Sequence, residues 1–203
     1  DLGQGTAPTQ FLGEDIYFDE ILMGEELTDE FIARIDELDF ETGEVSRFAP
    51  WTLNRIRRPF EYILQGMSEI WTFRKWLHRR AGRWKPFWIP SFESNFNLLQ
   101  TGTVTTSLTV SSDDYKLFAN KRSHIALQLF DGSWLTRTIT GVTDIGNGQI
   151  ILAMDTAFTG LTADKIKRIC FLGLKRLDTD RVEIKWDTNR TVYCTIPMLE
   201  IAP

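Results

Sequence analysis

Few residues in this chain could carry out chemistry, and none are arranged for a familiar reaction. Two histidines, His78 and His124, are too few for a catalytic or metal centre built on imidazole. His78 falls in the last turn of an expected helix, where the dipole favours a surface cation. The sequence contains no Cys-x-x-Cys or His-x-x-x-His pair, phosphate loop or nucleophile elbow. Asp178-Thr-Asp180 and the acids Asp15, Asp19 and Glu20 could hold calcium, but neither group has the loop spacing of a dedicated site. They read as solvated surface. A chain with 28 acids always offers carboxylate pairs for glycoside hydrolysis, and nothing singles one pair out. Cys170 and Cys194 each sit in an apolar, strand-like run, where a free thiol behaves as a small hydrophobe. A disulfide framework needs more cysteines and a secreted context, so the two read as buried thiols of a chain folded in a reducing cytoplasm. The expectation is a non-catalytic protein with no metal site and no cofactor.

Chemistry of another kind is concentrated in residues 71–92, WTFRKWLHRRAGRWKPFWIPSF, which hold four of the seven tryptophans and six Lys or Arg. Interleaved bases and aromatics can track phosphates and stack on nucleobases, but the acidic balance of the whole chain speaks against nucleic acid. Exposed tryptophans could form a carbohydrate platform. In a third reading the aromatics fill a core while the arginines face a neighbouring subunit, since Trp and Arg are enriched at interface anchors. The candidate subunit-interface residues are Arg74, Arg79, Arg80, Arg83, Trp84 and Trp88.

Charge is unevenly spread along the chain. Residues 1–46 carry fourteen acids and one base, Arg34; residues 47–90 carry ten bases and two acids. Such asymmetry implies that the two segments neutralise each other, either within one molecule or head to tail between copies.

Several elements must position these groups. Residues 1–10, with Gly3, Gly5 and Pro8, read as a flexible arm. A helix is expected over 29–38, with Thr28 as N-cap, Leu27 stapled onto Ile32, and Phe31, Ile32, Ile35 and Leu38 on one face. Leu38-Asp-Phe-Glu-Thr-Gly43 reads as a short strand entering a turn. Trp51 and Leu53, then Phe60, Tyr62 and Leu64, alternate as in a half-buried strand, with Pro59 at a bulge or edge. A helix over 69–80 is predicted from Ser68 as its cap, Glu69 in the first turn and basic residues in the last. Gly82 follows as its left-handed stop. Ile70, Phe73 and Leu77 make its buried stripe, with Trp76 beside them, and Phe87–Ile89 form a strand between two prolines.

Strands are then expected at 103–110, 124–130, 134–142, 149–154, 168–177, 181–186 and 191–196. Asp131-Gly132, Gly146-Asn147-Gly148 and Asp187-Thr-Asn189 serve as turns. Val182, Ile184 and Trp186 are expected to point inward, as are Val192, Cys194 and Ile196. The chain lacks an apolar run long enough to span a bilayer and a signal-peptide pattern, and reads as soluble. Starting at Asp1 rather than Met, it reads as a processed or excerpted piece of something longer.

Four of these segments together resemble the core of bacteriophage minor tail and distal tail proteins over about residues 38–98. They are Leu38–Gly43, the strand through Phe60-Glu-Tyr62, Phe73-x-x-x-Leu77-x-x-Arg80-x-Gly82, and Pro86-Phe-Trp88-x-Pro90. Arg176-Leu-Asp-Thr-Asp180 and Val182-x-Ile-x-Trp186 are similar to the closing strands of some tail-tip proteins, whereas 100–166 departs from the minimal tube domain. The resemblance implies a ring, hexameric or trimeric, that contacts the tail tube, hub or fibres of a virion made in the host cytoplasm. It implies no active site.

The expected fold is α+β and mostly β: a tail-tube-like β-sandwich (29–99 and 167–203) with a flanking helix, an N-terminal arm (1–28), and an inserted small β-barrel or sandwich (100–166). The expected partners are copies of itself and adjacent tail proteins, with no nucleic acid. A receptor- or glycan-binding module on the same particle is the alternative, and a hydrolase with an unrecognised carboxylate pair is a third reading.

Overall fold

The computed structural model describes residues 8–19, 28–39, 45–49, 55–111 and 114–201. In chain order they form β1 (Gln10–Phe11), β2 (Glu14–Asp15), β3 (Glu30–Ile32), β4 (Asp36–Asp39), β5 (Val45–Phe48) and β6 (Arg55–Gln65). Next come helix α1 (Met67–Arg80), β7 (Phe87–Pro90), β8 (Asn97–Leu98), β9 (Thr103–Val104), β10 (Ser107–Ser111) and a short helix α2 (Tyr115–Phe118). The chain continues through β11 (His124–Leu129), β12 (Trp134–Gly146), β13 (Gln149–Met154), β14 (Leu161–Thr162), β15 (Ile166–Leu177), β16 (Ile184–Trp186) and β17 (Thr191–Glu200). The expected mostly-β α+β class is what the chain adopts.

Two compact units emerge, one of residues 1–7, 21–87 and 174–203, the other of 8–20 and 88–173. The inserted unit thus starts and ends outside the expected 100–166 and takes residues 8–20 from the expected arm. A chemical reason holds those residues there. The Tyr17 amide donates to the Trp88 carbonyl at 2.8 Å, the Ile16 amide to the Thr9 carbonyl at 2.9 Å, and Phe11 meets Trp88 edge-on at 5.4 Å.

In the first unit, β6 pairs with β17 over a long antiparallel ladder from Thr191↔Gln65 to Leu199↔Arg57. β3 pairs with the start of β6, and β16 and the last residues of β15 pair with β17. The predicted alternation holds: Phe60, Tyr62 and Leu64 are buried, as are Val192, Cys194 and Ile196. Pro59 faces Pro197 across the ladder. Neither has an N–H, and the Pro197 carbonyl turns the other way to accept the Asp178 amide at 2.9 Å. The pair therefore occupies a position where the ladder needs no hydrogen bond.

Helix α1 covers this sheet with Ile70, Phe73 and Trp76. Phe73 lies 5.6 Å from Tyr62, and Trp76 stands edge-on to Phe87 at 5.1 Å. Its start differs from expectation. Ser68 lies inside the first turn, and the cap is made in reverse, with Glu69 Oε2 accepting the Gln65 amide at 2.7 Å. At the other end Ala81 is the first left-handed residue (φ 49°, ψ 50°), with Gly82 also at positive φ.

The expected helix at 29–38 is absent: the segment forms β3 and β4 instead. Phe31, Ile35 and Leu38 are exposed, so their helical spacing had no core to face. Pairing to β6 wins because it adds ladder hydrogen bonds and places Asp29 and Glu30 on Arg58 and Arg57. Leu27, Phe40–Glu44, Trp51 and Leu53 lie outside the described residues. β4 and β5 pair with each other as a separate two-stranded sheet.

The second unit contains the sheet order β15-β11-β12-β13-β10-β8. An antiparallel bridge between Phe96, just before β8, and Ile169 in β15 returns this path to its start. The Asn95 amide donates to the Ile169 carbonyl at 3.0 Å beside it. The result is a small closed barrel, filled by Leu108, Val110, Ile125, Leu127, Leu152 and their neighbours. Tyr115 of α2 enters the same cluster and donates its hydroxyl to the Arg122 carbonyl at 2.6 Å. The turns are the predicted ones. Asp131 Oδ1 accepts the Ser133 amide at 2.9 Å next to Gly132, and Asp144 Oδ1 accepts the Gly146 amide at 2.9 Å before Asn147.

Candidate interaction site

The first unit carries a groove of about 530 Å³ along the outer side of α1. The helix contributes Trp71, Arg74, Leu77 and His78, the end of β15 contributes Leu177, and the chain beyond it contributes Asp180, Val182 and Ile184. These positions follow from helical spacing. Trp71, Arg74 and His78 occupy the stripe next to Ile70, Phe73 and Trp76, which face the sheet. Leu77, expected in the buried stripe, is half-buried and lines the groove instead.

Arg74 is the most organised group at this site. Its guanidinium carbon lies 5.4 Å from the centre of the Trp71 ring and 5.7 Å from that of Trp186. Such cation–π contacts restrict the side chain, and its guanidinium N–H groups suit an acceptor such as a carboxylate. Both indoles stay open to solvent, Trp71 at 41 % and Trp186 at 46 %. Trp186 was expected inward. It stands at the end of a three-residue strand paired with β17, and the Arg74 guanidinium over its ring leaves it half open, while Val182 and Ile184 are half-buried in the groove.

Near the end of α1, Asp180 Oδ1 accepts the Arg83 amide at 2.9 Å, and its other oxygen lies 3.7 Å from Arg83 Nε. Asp178 is held by Arg57 at 2.8 Å. The two acids of Asp178-Thr-Asp180 are therefore engaged by different arginines. Asp15 is buried and accepts from Gln10 at 3.0 Å, Asp19 is exposed, and Glu20 lies outside the described residues.

The six candidate interface residues separate sharply. Arg74 lines the groove, Arg79 is half-buried, Arg83 is exposed, and Trp84 is 80 % exposed. Arg80 and Trp88 do not belong at a surface. Arg80 is 2 % exposed, donates to the Pro86 carbonyl at 2.7 Å and lies 5.7 Å from the Phe87 ring centre. Its position one turn after Trp76 turns it under the helix, where the chain reversal at 81–86 supplies a carbonyl for its charge. Trp88 is buried in the second unit, edge-on to His124 at 4.9 Å. Burial holds the His124 imidazole below its usual pKa, against the opposing pull of Asp155, and Nδ1 lies 3.2 Å from Thr138 Oγ1. Neither histidine stands in a cluster of metal-ligating residues among the described residues.

A second surface feature lies in the same unit. Strands β4 and β5 are open to solvent on both faces. Phe31, Ile35, Leu38, Val45 and Phe48 are 45–65 % exposed. By register, Asp36, Leu38, Ser46 and Phe48 share one face, and Glu37, Asp39, Val45 and Arg47 share the other. The short strand expected from Leu38 is found in β4 and the strand expected over 181–186 in β16. That the hairpin stands open and that β16 faces α1 across a groove was not read from the sequence. The available signal was charge: no acid occurs between Glu69 and Glu93, so α1 beyond Glu69 carries no acidic side chain.

The acidic and basic segments do pair within the molecule. Asp29 bonds Arg58 at 2.5 and 2.6 Å, and Glu30 and Glu37 pair with Arg57 and Arg47 at 3.3 and 3.0 Å. No family model matches the chain, and no curated protein matches it.

Proposed function

We propose that this chain is a structural subunit of a bacteriophage tail tip or baseplate, assembling into a ring and joining the tail tube to tip proteins. The observation that carries the assembly reading is the β4–β5 hairpin. An isolated two-stranded hairpin is marginally stable alone, and this one holds Leu38, Val45 and Phe48 in water. Apolar side chains gathered on an exposed element mark a protein-interaction surface. The place in a phage tail rests on the resemblance of residues 38–98 to minor and distal tail proteins. Electron microscopy of the purified full chain over a range of concentrations tests the proposal, with rings as the expected result. A monomer at every concentration would overturn it.

A receptor- or glycan-binding module is the second reading, favoured by the exposed indoles of Trp71, Trp84 and Trp186. Binding on a glycan array that disappears in Trp84→Ala, with assembly intact, would select it.

A further inference from the structure

We infer that the α1 groove is the socket for the β4–β5 hairpin of a second copy of this chain. The inference rests on the assembly reading and names its contact. Both surfaces belong to the same unit, and both are open to solvent. The hairpin therefore does not occupy the groove of its own molecule, and each surface has an unfilled partner of the other's chemistry.

Charge complementarity identifies that partner. The hairpin sequence 36–48 carries five acids and one base, Arg47, while 70–92 carry six bases and no acid. Polarity agrees at the level of side chains. The hairpin face bearing Leu38 and Phe48 also carries Asp36. The groove has an apolar floor of Leu77, Leu177, Val182 and Ile184, with Arg74 on its rim. With Leu38 on that floor, Asp36, two residues away on the same face, reaches toward the rim. Asp36 now accepts from Arg34 at 3.2 Å, with both groups exposed, and such surface pairs exchange at little cost. Arg74 is the better fork, because Trp71 and Trp186 already restrict it.

The symmetry consequence is specific. Hairpin into groove joins two different patches, so the contact is heterologous and propagates into a ring or a filament rather than a two-fold dimer. A nucleic acid would also seek the basic face, but the apolar Leu77, Leu177, Val182 and Ile184 of the groove give a phosphate backbone nothing to bond.

The test uses the full chain with two readouts. Leu38→Cys and Val182→Cys chains are mixed and mildly oxidised; the native Cys170 and Cys194 are buried. A disulfide-linked dimer containing one of each variant is expected, several-fold above the yield from either alone. In parallel, Arg74→Glu and Asp36→Arg should each weaken self-association about tenfold or more by sedimentation. Combining them in one chain should restore it. If wild type assembles but the variants assemble equally well and no mixed dimer forms, the socket is wrong and the assembly reading stands. If wild type never assembles, both fall. Loss of single-stranded DNA binding in Arg74→Glu, with assembly unchanged, also overturns the socket and assigns the groove to nucleic acid.

Discussion

A Cβ built on Gly82 would stand 2.5 Å from Asp180 Oδ1, the oxygen that accepts the Arg83 amide. The chain reverses direction at the end of α1 by bringing a glycine against this carboxylate, and Gly82 is also at φ +66°.

Gly82→Ala should therefore destabilise the protein by about 1–3 kcal/mol, from the left-handed backbone and the contact together. Urea denaturation measures it. The double variant with Asp180→Ala should not recover wild-type stability, because the backbone strain remains and the Arg83 amide loses its acceptor. An unchanged midpoint in Gly82→Ala would refute this account of the turn.

Arg80 should behave as a core residue. Arg80→Met leaves the Pro86 carbonyl without its guanidinium donor and should cost about 2–4 kcal/mol. Arg83→Glu, at an exposed site, should shift the midpoint far less. A charge reversal intended to probe assembly belongs at Arg74 or Arg83; at Arg80 it would report unfolding.

Acid stability should depend on Asp29. The Arg58 guanidinium, bonding it at 2.5 and 2.6 Å, holds its carboxyl below the usual carboxylate range. A depressed pKa in the folded state means that the unfolded chain binds the proton more readily. The contribution is present in full above the ordinary Asp value and is lost as pH falls through the lower folded value. Asp29→Asn should consequently lower stability at pH 7 and flatten its decline below about pH 4. Thermal melts from pH 7 to 2 compare the two profiles, and parallel curves would remove Asp29 from the account.

Both cysteines should be silent in the native state. Burial pushes the Cys170 thiol up to about 11 and the Cys194 thiol up to about 12, and the thiolate is the reactive form. A chromogenic disulfide reagent at pH 8 should label neither thiol until denaturant is added, and then two per chain. Rapid labelling of the folded protein would contradict the burial of one of them.

The sequence by itself determined the elements whose signals are local and mutually consistent. Alternation at Phe60, Tyr62 and Leu64, and again at Val192, Cys194 and Ile196, specified two strands because a half-buried ladder demands a period of two. Gly146-Asn147-Gly148 and Asp131-Gly132 marked the hairpins because those backbones need positive φ. The α1 segment was readable from its apolar stripe and its basic last turn. The mostly-β class followed from these elements together.

The tertiary structure decided what depended on partners distant in sequence. Residues 29–38 have apolar groups at helical spacing, yet a helix there would have had no core to bury them. Strand β6 instead offered a free edge and two arginines. Arg80 and Trp88 belong to interface-prone types, but a carbonyl at Pro86 and the rings of Phe11 and His124 keep them inside. Trp186 alternates with Val182 and Ile184 as a buried residue would, but at the end of a three-residue strand the Arg74 guanidinium over its ring leaves it 46 % exposed. Periodicity encodes which residues share a face. Whether that face is covered depends on the energy of contacts that the chain closes only when it folds.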